Sequence, residues 1–337
     1  MYESFGSSKL KNGLEVELGR VRVPDDVWGP QLLDFFKPLK ADLSFWHIAQ
    51  GVELEDPGGV INHYYIAHQG SEILGSINIA EHDGCAQYGH VHTRHDQRGQ
   101  GICNRMMEVS IADYRARGGK MMILCTIRPD AHHLYDKFGF KPVDDRPFVP
   151  GVPIVMNWFA DQVDEDEFYD QRFMFSDTFV REFQLKDWIL LSVLTLTKQA
   201  PPLRSLCTDT KTYGRFELHT RELLYDMHVL GKPVQARVLE SKGTGASVGF
   251  VILRPDPRFS DQVQMLDFFI HPHLDNSAGD LLSAIDLGKT KVQIYMDHSN
   301  ELVRNLLVGH GFREEARLSR QFQYANKWYD VFILSYG

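Results

Sequence analysis

Cysteine is scarce in this chain: Cys85, Cys103, Cys125 and Cys207 are all there is, and no two form a C-x-x-C pair. That rules out a disulfide-stapled scaffold and reads as reduced thiols in a cytoplasmic protein. Long apolar runs are missing as well. Stretches such as Ile189 to Leu191 fall far short of the roughly 20 residues that cross a bilayer. The opening MYESFGSSKLKNG has no apolar core of a secretory signal, so neither membrane nor export is expected. Positive charge is in deficit: 36 Lys and Arg against 45 Asp and Glu give a net charge of −9, which argues against nucleic acid as the partner. Two common phosphate-binding strings are also absent. No Gly-Lys-Ser/Thr follows the glycines at 99 and 101, so that turn is not a Walker loop, and no G-x-G-x-x-G opens a dinucleotide fold.

What is present suffices for two cores. The chain has 337 residues, of which 43% are hydrophobic and 24% charged, and a domain commonly takes roughly 100–200. Residues 161–170, DQVDEDEFYD, carry six acids and read as a solvated linker. The boundary is therefore expected near 160, with domains at 1–160 and 161–337.

The most informative stretch runs from Gly89 to Gly119. Tyr88 to Thr93 reads as a strand. Ile102, Cys103, Met106, Met107, Ser110, Ile111 and Tyr114 then recur at helical period until Gly118-Gly119 stops the helix. Arg98, Gly99, Gln100 and Gly101 stand between the two. The first amides of a helix have no partner inside it, and the helix dipole adds positive character there. Glycines let a large anion come close to the backbone. Between Arg94 and Lys120 six Lys/Arg face three acids, a local basic bias that suits a polyanionic ligand. The stretch reads as a diphosphate cradle.

Arg98-x-x-Gly101-x-Cys103 resembles the R/Q-x-x-G-x-G/A signature of the GNAT acyltransferases, with Cys103 in place of the last small residue. After the apolar strand Met121 to Thr126, Ala131-His-His-Leu-Tyr135-Asp-Lys-Phe-Gly139-Phe140 resembles the A-x-x-L-Y-x-x-x-G-F segment of the same family. The resemblance implies an α/β (α+β) fold: two GNAT-like domains, each a mixed, mostly antiparallel sheet flanked by helices. It implies acetyl-CoA or another acyl-CoA as co-substrate. The diphosphate would lie on Arg98, Gly99, Gln100, Gly101, Ile102, Cys103 and Asn104, and the pantetheine and thioester on Val91, His92 and Thr93. Tyr135 would be the general acid for the leaving thiolate, and residues 38–60 would border the acceptor.

The base is open. His90 and His92 share a strand face by the two-residue period; Glu81, Asp83, His132 and His133 are further candidates. No metal is expected, since neither His90-x-His92 nor His271-x-His273 has a Cys or carboxylate partner at ligand spacing. Cys125 lies in an apolar strand where thiols are usually inert, and Ser-His-Asp hydrolysis is not expected because its G-x-S-x-G elbow is read as missing.

In the remaining chain, residues 1–13 read as a frayed start, Leu14 to Val23 as a strand, and Val27 to Lys37 as a helix capped by Asp25 or Asp26. A hairpin follows around Gln69-Gly70-Ser71, and Val152 to Trp158 is a last strand. The second half repeats this plan. Phe179 to Leu185 is a strand, and Asp187 caps a helix from Trp188. Val234 to Leu239, Ser247 to Leu253 and Gln264 to Ile270 are strands, Asn276 to Leu287 the cradle helix, Val292 to Met296 a strand, and Asn300 to Gly309 a helix. Its turn places Asp280 where an anion would sit, and Leu307 falls opposite Tyr135. The second copy is therefore expected to be degenerate, with a structural or acceptor-pocket role.

Three activities fit: N-acylation, most simply N-acetylation, of a small-molecule or peptide amine by direct transfer; decarboxylation or S-acyl transfer involving Thr93, His90 and His132-His133; and non-enzymatic CoA binding. Acceptor and oligomeric state are not legible.

Overall fold

The structure, a computed structural model, describes residues 1–39, 52, 59–143, 153–174, 177–197, 200–203, 223–224, 226–228, 230–256, 258–259, 262–274, 277–324 and 326–337. The chain divides into two compact units, Met1–Asp164 and Glu165–Gly337. Most of the proposed acceptor-bordering stretch 38–60, and most of the loop 141–151, lie outside the described residues.

The first unit is one eight-stranded sheet. Its strands are β1 (Tyr2–Lys9), β2 (Glu15–Val23), β3 (Ile61–Gln69), β4 (Glu72–His82), β5 (Cys85–Thr93), β6 (Met121–Thr126), β7 (Lys141–Pro142) and β8 (Ile154–Phe159), in the order β1-β2-β3-β4-β5-β6-β8-β7. Every pairing is antiparallel except β5 with β6. The helices are α1 (Trp28–Phe36), α2 (Ile102–Ala116) and α3 (Pro129–Lys137). Residues 2–9, expected to fray, pair along β2 instead. Their alternation is hidden because most of their side chains are exposed.

The stripe on α2 was legible and is buried: Ile102, Met106, Met107, Ser110, Ile111 and Tyr114. All but Ser110 pack on Tyr65, Ile77, Tyr88 and Met122 in one core cluster, each large apolar group contributing about 1.5–3 kcal/mol, and the Ser110 hydroxyl lies 3.0 Å from that of Tyr88. The C-terminus of α2 is pinned by the Tyr114 hydroxyl, which donates to the Gly84 and Met121 carbonyls at 2.8 and 2.9 Å. Gly119 is obligatory beside that ring, because a Cβ there would fall 2.3 Å from Tyr114 Cε1. Cys103, assigned to the same stripe, is only half-buried. At α1, Asp25 accepts from the Val27 and Trp28 amides at 3.1 and 2.9 Å.

The second unit has a seven-stranded sheet. Its members are β9 (Thr178–Glu182), β10 (Gln235–Ser241), β11 (Ser247–Pro255), β12 (Val263–Ile270), β13 (Lys291–Asp297), β14 (Arg313–Tyr324) and β15 (Lys327–Tyr336), in the order β14-β15-β13-β12-β11-β10-β9. Again one central pair, β12 with β13, is parallel, and the rest are antiparallel. From β2 in one unit and β9 in the other, strand order and direction are the same. Its helices are α4 (Glu165–Arg172), α5 (Asp187–Thr195), α6 (Ala278–Ser283) and α7 (Glu301–Gly309).

Three expectations change here. Six of the ten residues of the acidic run belong to α4 rather than a linker, because Phe168 and Tyr169 give it a buried side. Asp187 is not a simple cap: fully buried, it takes both Arg181 terminal nitrogens at 2.7 and 2.8 Å. It also accepts from the Gln184 amide at 2.7 Å and the Ser247 hydroxyl at 3.1 Å. The counterpart cradle helix is six residues long, ending at Ser283 rather than Leu287.

Candidate functional site

A parallel strand pair that separates makes the cleft. β5 and β6 are in register only over Cys85–Gln87 and Met121–Ile123. Beyond Gln87 β6 no longer pairs with β5, so the β6-facing backbone groups of Val91 to Thr93 take no ladder bond from that strand. A bulge also re-aims β5. Gly75 faces Thr93 and Ser76 faces His92, but Asn78 faces Gly89, so one extra residue is absorbed, and His90 takes φ +47°. Tyr88 therefore points into the core against Tyr135 and Phe140, at ring distances of 6.5 and 5.3 Å. His90 and His92 both reach the α1 ring Phe36, at 6.2 Å each. The two histidines do share a face, though strict two-residue alternation would have put Tyr88 on it as well.

The turn after β5 is one 3-10 turn, His95–Gln97, followed by Gly99 at φ +77° and Gly101 at φ +95°. Gly101 is the residue before α2 and no side chain caps the helix. A Cβ on Gly99 or Gly101 would meet nothing within 4 Å. The turn is not plugged by side chains.

In front of it is a cavity of about 440 Å³. Its walls take Val91, His92 and Thr93 from β5, Arg98, Gly99, Gly101, Ile102, Cys103 and Asn104 from the turn and α2, and Tyr135 from α3. Two cations that the sequence did not single out join them: Lys11, from the β1–β2 turn, and Arg128, just before α3. Arg128 is paired with Asp130 at 2.6 Å. Arg98 donates from Nε to the Thr93 carbonyl at 3.2 Å and makes no ion pair among the described residues. Gln100 does not line the cavity; its carbonyl accepts the Lys11 amide at 3.3 Å.

Tyr135 is 8% exposed, and burial raises its phenol well above the ordinary range, with the nearby Cys103 thiol adding to the shift. Among the described residues its hydroxyl makes no hydrogen bond. Burial likewise pushes the Cys103 thiol up to about 11, so it is no thiolate nucleophile at neutral pH.

A second cavity of about 1000 Å³ lies on the α1 side, lined by Asp34, Phe35, Ile73, His95 and others. His92 and Arg98 belong to both. Burial, with Arg98 and Arg128 nearby, lowers the His92 pKa below 6.5. The remaining base candidates line neither cavity. His90 is hydrogen-bonded to the Tyr64 hydroxyl at 3.0 Å. Glu81 is ion-paired with Arg117 and lies 3.1 Å from His63. Asp83 is in the β4–β5 turn at φ +49°, and His132 and His133 lie on α3.

The second unit repeats the short parallel ladder, Val263–Met265 with Lys291–Gln293, but among its described residues it lacks the bulge and the tyrosine. β11 and β12 stay in register from Gly249–Ile270 to Pro255–Gln264 without a bulge. Asp280 is in the first turn of α6, and the residue aligned with Tyr135 is the fully buried Leu307. Against the expectation that no hydrolase elbow exists, residues 245–249 read G-A-S-V-G. Ser247 begins a strand, however, and its hydroxyl donates to Asp187 at 3.1 Å, so it is not the exposed strand-to-helix serine that such chemistry needs. No cluster of three metal-ligating side chains occurs among the described residues, and none of their helices is long and apolar enough to cross a membrane.

Residues 61–142 match the family model described as an acetyltransferase (GNAT) domain. Several solved structures match about half of the chain. An N-acetyltransferase from Staphylococcus aureus Mu50 shares 16% identity, with 48% of this chain and 98% of that one covered and a TM-score of 0.37. A GNAT-family acetyltransferase from Streptococcus pneumoniae shares 20%, covering 48% and 98%, at 0.36. A chimera of the spermidine N-acetyltransferase SpeG from Vibrio cholerae and hSSAT shares 17%, covering 48% and 95%, at 0.34. No curated protein sequence matches the chain. By the family match a GNAT domain lies at residues 61–142 of the first unit, and the second unit repeats the first one's sheet plan.

Proposed function

We propose that the unit built on this GNAT domain transfers an acyl group, most simply acetyl, from its CoA thioester directly to an amine on a small molecule or peptide. The observation that carries this reading is the unplugged glycine turn opening into the same cavity as Tyr135. Acyl-CoA would supply an activated carbonyl and a good leaving thiol. The amides of Gly101 to Asn104, with Arg98, would hold its diphosphate, since unpaired helix-start N–H groups and a guanidinium both favour an anion. The β5 edge at Val91 to Thr93 would hold the acyl arm and polarise the carbonyl.

Tyr135 serves as the acid. A buried phenol with a raised pKa keeps its proton throughout the neutral range and can give it to a departing thiolate. His92 serves as the base: it stands in the wall shared by both cavities and is neutral at pH 7, ready to take a proton from the amine. The larger cavity on the α1 side is then the acceptor's. The second unit, with no bulge and Leu307 in place of the tyrosine, is assigned no transfer of its own.

The test is to incubate the full chain with acetyl-CoA and a panel of small and peptide amines, following thiol release and acetylated product. Amine-dependent release supports the reading. Acetyl-CoA formed from malonyl-CoA without any amine would favour decarboxylation. Tight CoA binding with no turnover across the panel would make this a CoA-binding protein.

A further inference from the structure

We propose that Lys11 is a specificity residue for the 3′-phosphate of the CoA nucleotide. This rests on the acyl-CoA reading of the cavity. The diphosphate already has the amides at the start of α2 and Arg98 to hold it, while two further cations face the same space, Lys11 and Arg128. Arg128 is neutralised by Asp130 through two contacts, at 3.1 and 2.6 Å. Lys11 is exposed and makes no ion pair among the described residues. CoA carries a third phosphate group, apart from the diphosphate, that needs a counter-charge.

Lys11 is held in place by its backbone. Its amide donates to the Gln100 carbonyl at 3.3 Å, tying the β1–β2 turn to the residue between the two cradle glycines. The preceding residue, Leu10, is buried in the core cluster with Ile102 and Met106, and its amide bonds the Leu14 carbonyl at 2.8 Å. The turn closes through Gly13 at φ +87°, with the Asn12 side chain accepting from the Leu14 amide at 3.1 Å. The Lys11 side chain therefore starts from a fixed point at the cradle. A lysine ammonium is a compact charge on a flexible stem, suited to a terminal phosphate rather than to a planar clamp. Lys11 lies about 90 residues before the motif and joins it only through sheet topology, so no local pattern marks it.

The test measures affinities of the full chain for CoA and for 3′-dephospho-CoA by calorimetry at low salt. Wild type binds CoA roughly 2- to 5-fold more tightly, the worth of an exposed charge pair. Lys11→Ala removes that preference while leaving dephospho-CoA affinity and the melting temperature unchanged. Lys11→Arg keeps it, and raising salt erodes it. Equal wild-type affinity for the two ligands overturns the proposal, as does a Lys11→Ala variant weakened equally toward both. Wild type that binds neither ligand overturns the acyl-CoA reading itself.

Discussion

Replacing Gly101 by Ala separates backbone strain from ligand exclusion. Gly101 is at φ +95°, and the space its Cβ would enter holds no protein atom within 4 Å. A non-glycine residue in left-handed backbone costs roughly 1–2 kcal/mol. For a unit of residues 1–164 that amounts to a melting shift of roughly 3–6 °C. Gly118 is the matched control: it has φ +86°, its Cβ would likewise meet nothing within 4 Å, and it lines neither cavity. Gly118→Ala should cost the same stability and leave acetyl-CoA affinity within twofold. Gly101→Ala should in addition push the diphosphate off the amides. Losing one to two charge-assisted hydrogen bonds costs about 2–3 kcal/mol, a roughly 30- to 150-fold rise in Kd. Calorimetric titration of both variants, with their melting curves, is the assay. If both bind acetyl-CoA as wild type does, the glycine turn is not the phosphate site.

Tyr135→Phe should lower kcat by roughly 100-fold, the lower end for a positioned acid, with acetyl-CoA affinity nearly unchanged; unchanged kcat removes Tyr135 from the chemistry. For His92 the neutral form is the active one and its pKa is lowered, so wild-type kcat/KM should fall only as pH drops below 6.5. His92→Gln should lose that acid limb and recover rate only as pH approaches the amine's own pKa, near 10.4 for a lysine-like acceptor. A variant with the wild-type pH profile would assign the proton to another group. In the second unit, Asp187→Ala removes the two Arg181 contacts and leaves that guanidinium with Glu240, 2.5 Å from its Nε, and should cost about 1–3 kcal/mol in thermal unfolding; a change under about 0.5 kcal/mol would mean Glu240 and water satisfy Arg181.

Sequence reached the cradle because its signals are local. Glycines with positive φ, a helical stripe from Ile102 to Tyr114 and a terminator at Gly118-Gly119 all act within about 20 residues. What it missed depends on distant pairing. β1 carries few buried side chains, so its identity comes from β2. β14 and β15, at one edge of the second sheet, went unread because β14 is exposed along most of its length. Lys11 and Arg128 reach the cavity only through topology, and the bulge at His90 appears only in the register with β4. Of the histidines and acids put forward as bases, only His92 lines the cavities, because Glu81 and Asp83 lie at the opposite end of the β4–β5 ladder, where it closes at His82–Cys85. The acidic run was misjudged because composition hides Phe168 and Tyr169, which give α4 its buried side.

Amide NMR of the full chain during titration with CoA addresses the central claim most directly, since it observes the N–H groups themselves. The Gly101, Ile102, Cys103 and Asn104 amide protons should move downfield and saturate together with binding, while those near Asp280 in the second unit stay put. Saturable CoA binding that leaves those four amides unmoved would contradict the account.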